Sequence, residues 1–474
     1  MLFKIVAQHL QTGKRETFTY DNEANALTAP DGSPIAYPEQ HRAWPKRAAR
    51  EVSRDVPIRK SARVHVLKIQ LGLSCNYSCD YCSQRFVERP PATSKKDIEA
   101  FMRKLDVLDF SEQDGLKIEF WGGEPLVYIK TLMPLVDALN ARFAHWERPP
   151  VYSMITNGSL LNDEINDWIL RNHFAIAVSH DGPGQHVRGP DPFDDPETRQ
   201  AVLDLYAVLK PLGRFSFNAM MHAGNTSREA IHQWFIDFTG DPYVVLGEGS
   251  LVDAYDEGGA VNSLTTKAQH FAYRKQAFND IRSTEGNIGF TGVVGKVDGF
   301  IRGVLGHADA VSLGQKCGMD ADDTLAIDLR GNVLTCQNVS VTEPAPNGES
   351  HCGGTLDDFG AVAIKSATHW RNRPHCAACP VVHLCQGACM FLEGEYWETS
   401  CANAYSDNIA LFALAFEKIT GFVPLAIEGG NLPAHRADIW GDLAEHEEVP
   451  KRRVIPIVAA KQQDGTFARA HAEV

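Results

Sequence analysis

From residue 65 onward, short apolar runs alternate with stretches whose apolar positions recur every three or four residues. The runs at 65–72, 116–121, 151–155, 174–178, 214–220 and 243–246 read as strands. The stretches at about 94–108, 128–144, 162–172, 197–212, 227–239 and within 265–283 read as helices. In the first helix Ser94 is a fair N-cap with Asp97 three residues on, and Ile98, Phe101, Met102, Leu105 and Leu108 share one face. Six successive β/α units predict an α/β fold with a parallel sheet and right-handed crossovers, a partial (β/α)6 barrel of TIM-like kind. Ligands of such sheets sit at the carboxyl ends of the strands. Four unusual loops fall there: Cys75–Cys82, Gly122–Pro125, Thr156–Gly158 and Ser179–Pro183.

The flanks have other patterns. Residues 1–40 alternate β-like pieces (Phe3–Val6, Glu16–Tyr20, Ile35–Tyr37) with turn chemistry at Pro30–Ser33, a small β-meander. Residues 41–63 are basic, with Arg42, Lys46, Arg47, Arg50, Arg54, Arg59, Lys60 and Arg63 against Glu51 and Asp55. This is expected to be a solvated connector, with recruitment of an acidic peptide as the sharper reading. Residues 284–312 are glycine-rich and read as a loop-laden boundary. Ile409, Phe412, Ala413 and Phe416 form a helical core stripe ending at a C-cap, Gly421. The expected division is 1–63, a β-rich segment and connector; 64–300, the barrel; 312–422, a cysteine-rich domain; and 423–474, a tail without assigned function.

The net charge of −14 excludes a general nucleic-acid-binding surface. No run of about 18 apolar residues predicts a membrane span, and Met1-Leu2-Phe3-Lys4 opens no signal peptide, so a cytoplasmic protein is expected. There the 11 cysteines are better metal ligands than disulfides, and the odd count agrees.

Cys75, Cys79 and Cys82 stand at i, i+4 and i+7 directly after the first strand. Three thiols on one loop fall short of the four ligands that a structural zinc or a fully ligated [4Fe–4S] cluster takes. One iron of a cluster would be left to bind something else, which marks a reactive centre. A second field holds Cys317, Cys336, Cys352, Cys376, Cys379, Cys385, Cys389 and Cys401. Its spacing fits either a pair of zinc staples or two clusters, which want about eight ligands.

Together these residues resemble the radical S-adenosylmethionine (SAM) enzymes that carry a C-terminal SPASM domain. The resemblance spans roughly residues 65–420. It rests on Cys75/Cys79/Cys82 with Tyr81 before the third thiol, on Gly122-Gly123-Glu124-Pro125, and on Cys317…Gly331-x4-Cys336, Cys376-x2-Cys379-x5-Cys385-x3-Cys389 and Cys401. It implies a [4Fe–4S] cluster on the first three thiols with SAM chelating its open iron, and two auxiliary clusters. Gly122, Gly123 and Glu124 would bind the methionine amino group, Glu124 matching an ammonium in charge. Ser179 and Asp181 match positions that touch the methionine carboxylate or the ribose. Tyr81 and Asn157 lie on the same rim, although Thr-Asn-Gly is also a good turn. Arg199, with Arg188 next, is expected to meet the carboxylate. Cys376, Cys379, Cys385 and Cys401 would hold one auxiliary cluster. Cys317, Cys336 and Cys389 would hold the other, with Cys352 filling the gap or one iron left open.

The resemblance also implies a peptide maturase that takes hydrogen from a ribosomally made precursor and forms a carbon–carbon or thioether crosslink or a similar oxidative change. Its partners would be that peptide and an external one-electron reductant of flavodoxin or ferredoxin type, with no nucleic acid or membrane. Formylglycine-forming sulfatase maturation is disfavoured. An Asp serves as base after the Gly-x4-Cys cysteine in that pattern, and Gln337 here cannot take a proton. A dehydrogenase or mutase for a small metabolite, and a non-catalytic zinc-stapled interaction protein, are the alternatives. No substrate-deprotonating residue is identified.

Overall fold

The computed structural model describes residues 1–39, 51–91, 93–247, 249–283, 289–441, 457–458 and 469–470. The chain opens with the meander β1 (Leu2–His9), β2 (Arg15–Asp21), β3 (Ala26–Thr28) and β4 (Pro34–Ile35). Phe3, Ile5 and Ala7 alternate inward on β1, as Phe18 and Tyr20 do on β2, and all five are buried. After β5 (Ile58–Arg59) come five β/α units: β6 (Val66–Gln70) and α1 (Ile98–Lys104), β7 (Lys117–Trp121) and α2 (Ile129–Arg142), β8 (Val151–Thr156) and α3 (Asp163–Arg171), β9 (Ala175–Ser179) and α4 (Pro196–Leu209), β10 (Phe215–Asn218) and α5 (Arg228–Thr239). Side-chain caps start the later helices: Asn162 accepts from Ile165 N, Asp195 from Thr198 N and Ser227 from Ala230 N. Left-handed Gly240 closes α5.

Beyond the units lie α6 (Glu257–Val261), α7 (Lys267–Ser283), α8 (Thr291–Gly306), β11 (Thr324–Asp328), β12 (Asn332–Leu334), β13 (Cys352–Thr355), β14 (Ala363–Ile364), α9 (Val382–Cys385), α10 (Gly394–Thr420), β15 (Phe422–Glu428) and α11 (Ala434–Ala437). The main sheet runs β10-β9-β8-β7-β6-β11-β12-β13. Strands β10 to β6 are parallel, and β11 continues in parallel on β6 before β12 and β13 turn antiparallel. The strand that carries the first cysteine loop is therefore hydrogen-bonded to a strand of the cysteine-rich region. Gln70 strengthens this join, its Nε2 donating to the carbonyls of Gln337 (2.7 Å) and Val339 (2.9 Å).

Three local expectations are corrected. The sixth strand, 243–246, is reduced to bridges from Leu246 to Phe217 and Phe290. Pro242 and Gly247 bound its apolar run too closely for a ladder to grow. The glycine-rich stretch is not all loop: residues 291–306 form α8, with Val293, Val297, Phe300 and Val304 buried. Its apolar spacing wins over the helix cost of its glycines, about 1 kcal/mol each in an exposed position. The basic connector is not simply solvated either. Arg42, Lys46, Arg47 and Arg50 lie outside the described residues, but Val52 is buried and β5 pairs with β14. Lys60, also buried, donates from Nζ to the carbonyls of Met319 (2.8 Å) and Ala321 (2.7 Å).

The opening meander meets the strand that follows α10. β15 pairs antiparallel with β1, so residues from the first and last segments share a five-stranded sheet, β15-β1-β2-β3-β4. α10, whose residues Tyr405–Phe416 are all buried, passes between this sheet and the barrel helices and ends at left-handed Gly421. No helix among the described residues is long and apolar enough to cross a membrane.

Candidate functional site

The loop after β6 carries Cys75, Cys79 and Cys82, all half-buried and none in a disulfide. Backbone amides already point at two of the sulfurs: Tyr77 N lies 3.3 Å from Cys75 Sγ and Gln84 N lies 3.4 Å from Cys82 Sγ. Burial pushes the Cys79 thiol up to about 11, against the pull of Arg188, and it also raises Cys75 and Cys82. Crowded thiols of this kind become thiolates when a metal supplies the opposing charge.

The loop after β7 supports this one by close backbone approach. Gly123 N donates to Gly72 O (3.1 Å) and Glu124 N to Ser74 O (3.0 Å). A Cβ on Gly123 would stand 2.5 Å from Ser74 O, and one on Gly122 would stand 2.7 Å from Gly72 O, so only glycine fits at either position. The Glu124 carboxylate is 1% exposed and already occupied. It accepts from Leu126 N (3.0 Å), Thr156 Oγ1 (2.7 Å) and Asn157 N (2.7 Å). Burial raises its pKa, and these three donors work against that rise. Asn157 acts similarly: its Nδ2 donates to Asn76 Oδ1 at 2.8 Å, tying the β8 loop to the cysteine loop.

Beside the thiols lies a buried group of three residues. Tyr81 donates to Asp181 Oδ2, and Arg188 Nη1 donates to the Tyr81 hydroxyl at 2.9 Å while standing 3.6 Å from Asp181 Oδ1. Asp181 Oδ1 also accepts from Met220 N (2.9 Å), and the residue has no exposed surface. Burial works against the Arg188 charge, but Tyr81, Asp181 and Cys79 hold its pKa above the usual range. Its Nε is buried with no partner, so an anion beside the thiols has a donor waiting. Arg199, the expected arginine, is exposed on α4 with its guanidinium 5.4 Å from the Phe238 ring centre. α4 leaves it on the surface, whereas its neighbour in preference, Arg188, reaches the Tyr81 hydroxyl. Ser179 ends β9, half-buried on the same face as Ala175 and Ala177.

Ala175 and Ala177 also line a cavity of about 340 Å³, together with Glu119 and Trp121 of β7, residues 153–155 of β8 and Phe215 of β10. Two charged residues missed in the sequence reading face each other across β6 and β7. Lys68 and Glu119 are paired in register with Nζ 3.6 Å from Oε2, and Trp121 Nε1 donates to the same carboxylate at 2.9 Å. Their signal was a charge in the middle of each of two adjacent core strands.

The second cysteine field separates into two groups. Cys376, Cys379, Cys385 and Cys401 line one small pocket with Tyr405 and Arg436. Burial drives the Cys379 thiol up to about 12, with Cys385 adding to it. Four thiols lining one pocket equal in number the ligands of a fully ligated [4Fe–4S] cluster, although among the described residues no group of three or more such side chains stands close enough to hold a single metal ion. Cys317, Cys336 and Cys389 act on one another in a chain, Cys317 on Cys336 and Cys336 on Cys389. Burial takes both Cys336 and Cys389 to about 12. Tyr255 and Asp253 flank Cys389. Cys352 stands apart: its thiol donates to Gly354 O on its own strand at 3.3 Å, and none of the strongest influences on the other three comes from it.

No family model matches the chain. Over 179 residues it is 23% identical to the radical SAM cyclopropyl synthase TigE of Paramaledivibacter caminithermalis, covering 35% of this chain and 37% of that one. Over 124 residues it is 32% identical to the serine-type anaerobic sulfatase-maturating enzyme of Klebsiella aerogenes, covering 25% of this chain and 29% of that one. The chain thus matches about a third of the length of these relatives. Among solved structures, anSMEcpe with bound AdoMet superposes with a TM-score of 0.53 at 17% identity, over 75% of this chain and 98% of that one, which shows a shared fold. The chain is thus similar, over the part that matches, to radical SAM enzymes, and it shares the fold of one solved with AdoMet, with three thiols on the loop after β6 and a second field of cysteines beyond the sheet.

Proposed function

We propose that the chain is a radical SAM maturase that modifies a ribosomally made peptide, forming an intramolecular crosslink or a similar oxidative change. The observation that carries this reading is the loop at 75–82, whose three thiols are one short of a full ligand set, beside the half-buried face of an unclosed sheet. Such a face admits an extended chain from the side. The fold relative supports a peptide in this setting, since one of its structures holds AdoMet and the Cp18Cys peptide (TM-score 0.51, 17% identity).

In this reading Cys75, Cys79 and Cys82 hold a [4Fe–4S] cluster whose open iron takes SAM, Cys376, Cys379, Cys385 and Cys401 hold a second, and Cys317, Cys336 and Cys389 a third. When bound, the cluster and SAM supply one electron, methionine and a 5′-deoxyadenosyl radical that abstracts hydrogen. The protein holds parts in place. Arg188 offers its unpartnered Nε to an anion at the thiol loop, and Glu124 and Asn157 hold the three rim loops in register. Lys68 and Glu119 form the ionisable pair on the face where a peptide would lie, Glu119 remaining charged because Lys68 and Lys117 outweigh its burial. Gln337 is buried, and its backbone carbonyl is bound to Gln70, which gives no support to a sulfatase-type base. The division at 64–300 and 312–422 is proposed as a functional one, with radical generation in the first part and electron handling in the second.

Anaerobically reconstituted protein should show about 12 irons per chain. Its reduced spectrum should change on adding SAM, and dithionite should release 5′-deoxyadenosine. With a ribosomally made precursor peptide it should give a product lighter by a pair of hydrogens. Zinc in place of iron, or no spectral response to SAM, would refute the reading; turnover of a metabolite and no peptide would refute the substrate class.

A further inference from the structure

The segment that follows β15 returns to the four-cysteine pocket and places a cation in it. Arg436, on α11, lines that pocket, and its Nη2 donates to Cys401 Sγ at 3.4 Å. Its guanidinium lies 4.8 Å from the ring centre of Tyr405, which also lines the pocket. The fold fixes this placement at several points. The Tyr405 hydroxyl donates to Arg436 O at 2.7 Å. Arg274, only 2% exposed, lies 5.3 Å from the same ring and donates Nη1 to the carbonyls of His435 and Asp438, both at 3.0 Å. Trp440 Nε1 then ties the segment to β15 through Pro424 O at 2.7 Å.

A [4Fe–4S] cluster on four thiolates is anionic and gains a further negative charge on reduction, so a fixed cation or an N–H···S bond favours the reduced form. The pocket is one-sided in this respect. Apart from the thiols themselves, the groups acting most strongly on Cys376, Cys379 and Cys385 include Arg373, Arg436 and Lys296 and no carboxylate. Around Cys317, Cys336 and Cys389 the balance is mixed, the carboxylates of Asp320 and Asp253 acting against Lys68.

We propose that Arg436 is a positioning residue for redox: through Cys401 it raises the one-electron potential of the four-cysteine centre, making this the more easily reduced of the two auxiliary sites. The inference rests on the proposed cluster in that pocket. It gives part of the tail, residues 434–440, a role within the cysteine field.

The test uses full-length chain carrying Cys75→Ala, Cys79→Ala and Cys82→Ala, so that only auxiliary centres contribute. Its potentials are read by EPR-monitored titration alongside iron content. Arg436→Gln should lower the more positive of the two midpoint potentials and narrow their gap, with the other potential unmoved and iron retained. Arg436→Lys, which keeps the charge, should stay close to the parent. An unmoved potential in Arg436→Gln, an equal drop in Arg436→Lys, or loss of iron from Arg436→Lys would overturn the proposal. Absence of any reducible auxiliary signal in the parent would instead overturn the cluster assignment, and this inference with it.

Discussion

The loop at 75–82 takes its three thiols from eight consecutive residues, whereas the pocket beside Tyr405 takes four from residues 376–401 and a cation from Arg436. Around the loop, support is polar and comes from the side: Glu124 binds two donors of the β8 loop, Asn157 binds Asn76, and Arg188 reaches Tyr81. Around the pocket, support is apolar and aromatic, with Trp370, Val382, Leu392 and Trp397 packed about its cysteines. A centre that must leave one metal position open needs its loop held by the neighbouring loops, so that the fourth side stays clear. A centre that is fully ligated can be enclosed. In the proposed reading, the difference separates a site for docking a ligand from one for holding charge.

The largest effect should come from breaking the loop's ligand set. Changing any one of Cys75, Cys79 or Cys82 to Ala should abolish 5′-deoxyadenosine formation while about eight irons per chain remain, counted by iron assay. Retained SAM cleavage would erase the distinction between the two regions. Next is Glu124→Ala, which orphans three donors at a buried position. At about 1–3 kcal/mol for a buried unsatisfied group, a loss on the order of 3 kcal/mol is expected. Denaturant unfolding should show it, together with weaker SAM binding; Glu124→Gln, which keeps two acceptor contacts within reach, should lose less.

A smaller effect should follow pH on the pocket side. Burial, with Arg274, His435 and Arg436 nearby, lowers the His270 pKa from 6.5 to about 4. Below about 6.5 the unfolded chain takes up a proton that the folded chain refuses. Stability from this residue is therefore complete above pH 6.5 and declines as pH falls towards 4. Melting curves between pH 7.5 and pH 5 should shift downward, and His270→Gln should flatten that shift; an identical slope would remove the residue from the account. The smallest effect is expected from Cys352→Ser, with no change in iron content, because its thiol is turned to Gly354 O. Loss of iron there would give the three-cysteine group a fourth ligand and bring it closer to the enclosed pocket.

Much of the barrel was legible because its signals are local. The helix at 227–239 has its cap at Ser227 and its stop at Gly240 next to the apolar stripe. The helix at 291–306 was not legible, because glycines spaced along it mimic a loop by composition while Val293, Val297, Phe300 and Val304 keep the helical period. The choice between Arg199 and Arg188 was not legible either. Both follow the same strand, and only the turn of residues 182–187 carries Arg188 beneath Tyr81 while α4 leaves Arg199 on the surface.

By itself the sequence determined which residue types stand at which spacing: three thiols after a strand, two glycines and a glutamate after the next, a denser cysteine field after the barrel. Periodicity, caps and ligand spacing are properties of neighbours in the chain. Only the tertiary structure decided that Glu124 braces loops, that the Cys352 thiol donates to Gly354 O, that Lys68 meets Glu119 and that Arg436 closes on Cys401. These contacts join residues dozens of positions apart or depend on which way a side chain turns, and both are settled by packing.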